Sequence, residues 1–403
     1  MVERLAVHAI GRARAVETAD AVVVGAGIFG MSLAWELASR RRRRIVVLER
    51  RYSGAGSSGR NVGRVRAIQL TPELARLSIE AQAKHVRLGD ELGSNTLLWR
   101  AGYALVLYED SEVEHMREAR DMLSGLGLAP ELLGPRETLR RLPILAGGQR
   151  PTGALAHHDY IVHHDAVMHA YRRSAAEAGV ELRENAPVEA LLMSGSRVEG
   201  VRTPAGEIRS PIVVNATGAW SREVSALAGL EVPNTPIRRE ALVTEAARPF
   251  MREAITFYRP VEGWFNQTLR GELVAGVLFP DEPAGPNLEA SHQALGHAAR
   301  TLLSKAPRLG HLRVVRQWAG LYDMTPDRMA TVGPVEGRPG LVQANGCNGR
   351  GFAIGPLIGE LLARWLDTGQ RPDLLALLDA NRFAGREGLP VLTADYYAGY
   401  RKR

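Results

Sequence analysis

Three strand–glycine-turn–helix units, separated by stretches of alternating strand pattern, predict an α/β fold. The units lie at Ala21 to Glu49, near residue 215 and near residue 345, and the alternating stretches fall within residues 97–153 and 237–279. The simplest arrangement is one discontinuous Rossmann-like domain carrying an inserted, mostly antiparallel sheet-plus-helix domain. At 403 residues the chain is also too long for one simple core.

The first unit is the most informative. An apolar run, Ala21 to Val24, enters Gly25-x-Gly27-x-x-Gly30, the helix opened by Ile28 and Phe29 continues through Leu37, and Ile45 to Leu48 is a second buried strand ending in Glu49. Gly25 allows a tight turn, Gly27 lets a pyrophosphate approach the backbone, and Gly30 lets helix and strand pack. The helix N-terminus supplies free N–H donors and Glu49 an acceptor for ribose hydroxyls. A glycine triplet alone is a weak signal; strand, helix and terminal acid together point to a dinucleotide.

Downstream, residues 53–67 (SGAGSSGRNVGRVRA) are too rich in glycine and serine for a helix and too basic for a core, and so form a loop placed to meet a ligand. Thr71-Pro72-Glu73 opens an amphipathic helix with Thr71 as its cap and Leu74, Leu77, Ile79, Ala81 and Val86 as its apolar positions. Leu97 to Tyr108 reads as a strand, followed by a charged helix through Leu123. Asp165 caps a helix from Ala166 to Ala178 that stops at Gly179. Val188 to Ile208 reads as two antiparallel strands, leading to a buried strand and a second glycine turn in residues 212–221. After the strand-rich residues 237–279 come a helix from His292 to Ser304, the strand-like LRVVRQWAG, the segment GLYDMTPDRMATVGP, and a last strand, LVQAN. The turn GCNGRG then leads to a helix from Pro356 to Leu366.

The net charge of +7 comes from arginine, but acids are interspersed nearly everywhere, and the one basic run, Arg40 to Arg44, is a solvated corner between helix and strand. Nucleic-acid binding is therefore disfavoured. Cys347 is the only cysteine, which excludes intrachain disulfides and cysteine metal clusters. No apolar run approaches the roughly 18 residues of a membrane span and no signal-peptide core is present, so a cytoplasmic location is expected.

With these motifs in order, the sequence resembles the flavin-dependent amine and amino-acid oxidases of the D-amino-acid oxidase superfamily. The carriers are VVVGAGIFGMSLAWELA with Glu49, SSGRNVGRVR, NATGAWS, GLYDMTPDRMATVGP and NGCNGRGFAIGPLIGELLA. Within it the chain is most similar to the group of the sarcosine oxidase β subunit, glycine oxidase, dye-linked proline dehydrogenase and hydrogen cyanide synthase subunits. The resemblance implies non-covalent FAD, held by Gly25, Gly27, Ile28, Phe29 and Gly30, by Glu49 and Arg50, and by Ser57, Ser58, Arg60 and Asn61. Val188, Thr217, Gly218, Trp220, Gly320 and Gly349 to Ala353 (Arg350, Gly351 and Phe352 between them) complete the set. It assigns residues 20–96, 151–236 and 319–385 to the FAD domain and 97–150 and 237–318 to the substrate domain, with an arm at 1–19 and a tail at 386–403. Arg66 matches the family arginine that pairs with the substrate carboxylate, and Tyr258, Gln267 and Arg350 are further candidates to face substrate.

Two departures bear on activity. Ala353 stands where sarcosine oxidases often carry a lysine that serves the carboxylate or oxygen, and Gly320 where monomeric sarcosine oxidases attach FAD through cysteine. Cys347 is then an unlinked thiol near the ligand. Histidines 157, 158, 163, 164 and 169 lack the spacing of a metal site. His164-Asp165-Ala166-Val167 instead resembles the position where the sarcosine oxidase β subunit attaches FMN at a subunit interface. The expected activity is FAD-dependent hydride removal from the C–N bond of an amino acid or amine, with oxygen or a redox partner as acceptor. A NAD-dependent dehydrogenase is disfavoured by the flavin-type turns; an FAD-bearing subunit that needs a partner remains the alternative.

Overall fold

The computed structural model describes residues 17–280 and 282–385. The expected tail, and the arm apart from residues 17–19, lie outside the described residues. Glu17–Thr18 is a short strand, paired in parallel with Gly206–Arg209.

The nucleotide-type sheet has six strands in the order Thr331–Pro334, Leu341–Asn345, Val213–Asn215, Ala21–Val24, Ile45–Leu48, Glu181–Arg183. All pairs are parallel except the first, which is antiparallel. Its central strands are apolar throughout because both faces are covered: Ala21 and Val23 enter the core under the helices, Val22 and Val24 the core under a four-stranded sheet of Glu17–Thr18, Gly206–Arg209, Arg197–Thr203 and Ala190–Ser194. The three glycine turns all leave the same end of parallel neighbours, which is where an open α/β sheet binds its ligand.

A second sheet has the order Val314–Met324, Thr235–Ala246, Glu272–Val277, Gly263–Gln267, Glu253–Phe257, Trp99–Leu107, Gly153–Ile161, Arg64–Val65, with Glu131–Leu133 also paired to Gly153–Ile161. It is antiparallel apart from the pair of Glu253–Phe257 with Trp99–Leu107. Alternation along Trp99–Leu107 splits its side chains between two cores. Tyr103, Leu105 and Leu107 pack with Met116 and Leu123 of the helix Asp110–Gly125, whereas Ala104 and Val106 face Ala298 and Leu302 of the helix His292–Lys305. The sheet draws strands from both sides of the expected limits at 150 and 318.

Several local expectations change. Residues 188–209 hold three strands, Ala190–Ser194, Arg197–Thr203 and Gly206–Arg209. Thr71 is the N-cap of Pro72–Glu91 but its side chain makes no capping bond, and Val86 of that helix is 52% exposed while Lys84 and His85 are buried. His163, not Asp165, is the N-cap of His164–Glu177; Asp165 sits in the first turn, where its charge still favours the helix dipole. The last helix begins at Gly351 rather than Pro356 and runs to Thr368 with Pro356 inside it. Among the described residues no helix is long and apolar enough to cross a membrane.

Candidate active site

The first glycine turn is built by contact. Gly25 has φ +104°, and a Cβ there would lie 2.6 Å from the Ala216 carbonyl oxygen of the neighbouring strand turn. A Cβ on Gly30 would lie 1.9 Å from the Gly25 carbonyl oxygen, so Gly30 packs the helix Ile28–Arg40 onto the strand and does not itself reach the cavity. Gly27 is the N-cap of that helix, and Gly27, Ile28 and Phe29 line a cavity of about 600 Å³. At the end of the second strand Glu49 accepts from the Ala26 and Arg51 backbone N–H groups at 3.0 and 2.9 Å, which fixes its carboxylate on the cavity wall.

The loop that follows is pinned on both sides. Ser58 Oγ accepts from Ile28 N at 2.9 Å, Ser57 Oγ donates to Leu321 O at 2.6 Å, Arg60 donates to Ala319 O at 3.2 Å, and Asn61 donates to Ser58 O at 2.6 Å. The serines and glycines that exclude a helix therefore hold the loop between the two sheets. Gly25, Gly27, Ile28, Phe29, Glu49, Arg50, Ser57, Ser58, Arg60, Asn61, Val188, Thr217, Gly218, Trp220 and Gly320 all line the same cavity, as do Gly349, Arg350, Gly351, Phe352 and Ala353. Arg50 stacks over the Trp220 ring at 4.0 Å.

At the far end stands the N-terminus of Gly351–Thr368. Its N-cap, Arg350, makes no side-chain cap bond, and Arg350 to Ala353, at the positive end of the helix dipole, line the cavity. Gly349, at φ +78°, has no room for a Cβ, which would lie 2.4 Å from the Tyr322 ring. His85, which sequence reasoning missed, braces this turn from behind: its Nε2 lies 3.3 Å from Phe352 O and 3.0 Å from Ala353 O. Pro356 has no N–H for the Phe352 carbonyl four residues earlier, and His85 supplies the donor. Burial lowers His85 to about 4, so the ring is neutral near pH 7.

Arg66 reaches the cavity with one Nη donating to Tyr103 Oη at 2.9 Å. Glu262 lines the same cavity; burial pushes this carboxyl up, opposed by Arg239, Arg66, Arg350 and Arg328. Asp323, also on the wall, is driven to about 7 by burial although it accepts from Gly346 N and Asn234. Cys347 is half-buried on the same wall, its thiol pushed upward by desolvation and by Asp323.

Three candidates are not where expectation put them. Gln267 is remote from the cavity: it accepts from Phe250 N at 2.8 Å and donates to Ala247 O, Arg248 O and Gly271 O, tying a loop to its strand. Strand alternation predicts a face, and this one is the core face. Tyr258 lines an adjoining cavity, shared with Arg66, Arg350 and Arg328. His164 lies outside the lining of the main cavity, its ring stacked on His163 at 5.4 Å, while His157 bonds Asp159 and His158 and His169 are exposed. The histidine run therefore does not converge.

A dinucleotide fits these residues, since Gly25 and Gly27 bring the backbone to the cavity wall with no side chain in the way, beside the Glu49 carboxylate. The profile of the DAO family, described as FAD dependent oxidoreductase, matches residues 20–365. The chain belongs to this family. It is similar to the glycine oxidase of Pseudomonas aeruginosa, at 30% identity over 87% of this chain and 95% of that one. It is also similar to the sarcosine oxidase subunit beta of Rhodobacter capsulatus, at 27% over 90% and 88%. Among solved structures, the L-proline dehydrogenase from P. horikoshii superposes with a TM-score of 0.84 at 26% identity, covering 91% of this chain and 98% of that one. This DAO-family chain is thus an FAD-dependent oxidoreductase of the amine and amino-acid oxidase or dehydrogenase class.

Proposed function

We propose that the chain oxidises the C–N bond of an amino acid or secondary amine of the sarcosine, glycine, proline or opine type to an imine that water hydrolyses. The observation that carries this reading is that Arg66 and the first turn of Gly351–Thr368 share a cavity with Glu49 and the glycine turn. Bound there, FAD supplies a two-electron acceptor for the hydride. Arg66, a planar fork, holds the substrate carboxylate and so orients the carbon that carries nitrogen. The free N–H groups at Gly351 to Ala353 stabilise the negative charge that develops at their end of the cavity.

A second reading, an FAD-bearing subunit of a hetero-oligomeric amine dehydrogenase or oxidase that is inactive without its partner, is favoured by Ala353 and by a relative named as a subunit. FMN at His164 finds no support in the family match, which specifies FAD.

The test is a visible spectrum of the purified chain followed by anaerobic titration with sarcosine, glycine, both proline enantiomers and opines. Bleaching by one of these is the expected result. A yellow protein bleached by none supports the partner-dependent reading, and a chain that stays colourless after FAD addition overturns both.

A further inference from the structure

Arg66 is held by the backbone on either side of it as well as by its side chain. The strand Arg64–Val65 pairs with Gly153–Ile161 only as far as Val65 opposite Tyr160, and beyond that point the chain leaves the sheet. The peptide groups flanking Arg66 then need partners from side chains. Val65 O accepts from Gln82 Nε2 at 3.1 Å, and Ala67 N donates to Asp159 Oδ1 at 3.1 Å. The two side chains are also joined to each other, Gln82 Nε2 donating to Asp159 Oδ1 at 3.0 Å. Gln82 comes from the helix Pro72–Glu91 and Asp159 from the strand Gly153–Ile161, so two elements grip the segment that carries Arg66.

One histidine of the run at 157–169 braces this grip. His157 Nδ1 lies 3.2 Å from Asp159 Oδ1, two residues along the same strand and so on the same face. Three groups thus converge on Asp159 Oδ1, while Oδ2 is buried and bonds no described residue. Directly across the ladder from His157 is Tyr103, whose hydroxyl accepts from the Arg66 guanidinium at 2.9 Å. Both ends of Arg66 are therefore referred to the same pair of strands. Asp159, Gln82 and His157 line neither cavity.

A fork that meets a planar carboxylate through two parallel bonds tolerates little displacement. Resting on the reading that Arg66 holds the substrate carboxylate, we propose that Asp159 and Gln82, braced by His157, are positioning residues that place Arg66 for substrate binding.

The test is a mutant cycle on the FAD-loaded chain, with calorimetric binding of (methylthio)acetate, a redox-inert carboxylate that has sulfur where sarcosine has nitrogen. Asp159→Ala and Gln82→Met should each weaken binding about 5- to 50-fold. Asp159→Asn, which keeps an acceptor for Ala67 N, should recover most of that loss. In the Arg66→Gln background either variant should add less than about 2-fold, because it acts through a fork already removed. Gln82 is only half-buried, so its cycle with Arg66 reads the same coupling if Asp159→Ala does not fold. Unchanged binding in the single variants, or losses that multiply in full with that of Arg66→Gln, overturns the positioning proposal and leaves the role of Arg66 standing. Binding that Arg66→Gln itself does not weaken overturns that role and the proposal together, while anaerobic bleaching of the wild-type chain decides the C–N reading separately.

Discussion

At the scale of single residues, the site depends on a few atoms whose replacements have opposite signatures. Arg66→Gln keeps the bond to Tyr103 within reach but removes the fork, so KM for a carboxylate substrate should rise about 10- to 100-fold, with a smaller change in kcat, measured by steady-state kinetics on the FAD-loaded enzyme. Asp323 is held near 7 against an ordinary value of 3.8. Between those values the folded chain binds the extra proton, so its carboxyl lowers stability as pH rises through that window. Relative to wild type, Asp323→Asn should gain stability from about pH 4 to 7 in urea unfolding; a flat difference would contradict this. Gly25, Gly27, Gly30 and Glu49 were legible in sequence because the turn that needs them is local. Gln267 was not, because alternation predicts two faces and only packing decides which meets the ligand.

The decisive element is the last helix, whose position makes its N-terminus useful. Gly355 and Gly359 allow it to lie against the first helix: added Cβ atoms would meet Ile28 at 2.8 Å and Ser32 Oγ at 2.4 Å. Pro356 interrupts its first turns and His85 repairs the interruption. Burial holds His85 near 4 against 6.5, so the unfolded chain takes up the proton first as pH falls and His85 costs stability below its ordinary value. Relative to wild type, His85→Gln should therefore improve as pH falls from about 6.5 to 4, the opposite trend to Asp323→Asn. Near pH 7 the same variant should lose stability if it fails to reach both carbonyls, by about 1–3 kcal/mol for the buried acceptor left without its donor. Sequence placed this helix five residues late, since proline ordinarily marks a helix start, and the compensating histidine lies 267 positions away from Phe352.

Across the whole molecule, a buried ion cluster joins three helices that are far apart in sequence. Lys84, 2% exposed, lies 3.0 Å from Glu36, 2.5 Å from Glu91 and 2.7 Å from Glu360, linking Ile28–Arg40, Pro72–Glu91 and Gly351–Thr368. Lys84→Met should leave the three carboxylates to Arg40 and Arg87 alone and cost up to about 3–5 kcal/mol, read as a lower urea midpoint and a weaker retention of FAD. A variant as stable as wild type would mean that the cluster is balanced by its desolvation cost. The sequence pattern of this helix marks its apolar positions and says nothing of Lys84, whose partners Glu36 and Glu360 lie on other helices.

The sequence by itself determined the α/β class, the FAD-type glycine turns, the acid that ends the second strand and the arginine of the following loop. These rest on local rules: a positive φ needs glycine, a helix start presents N–H donors, and an apolar strand is covered on both faces. Tertiary structure decided that the strands from residues 64 to 324 form one sheet, that His85 and Lys84 are buried behind the last helix, and that Arg66 and the first turn of that helix line one cavity with Glu49. Each of these depends on contacts between residues tens to hundreds of positions apart, whose energies no short window of sequence contains.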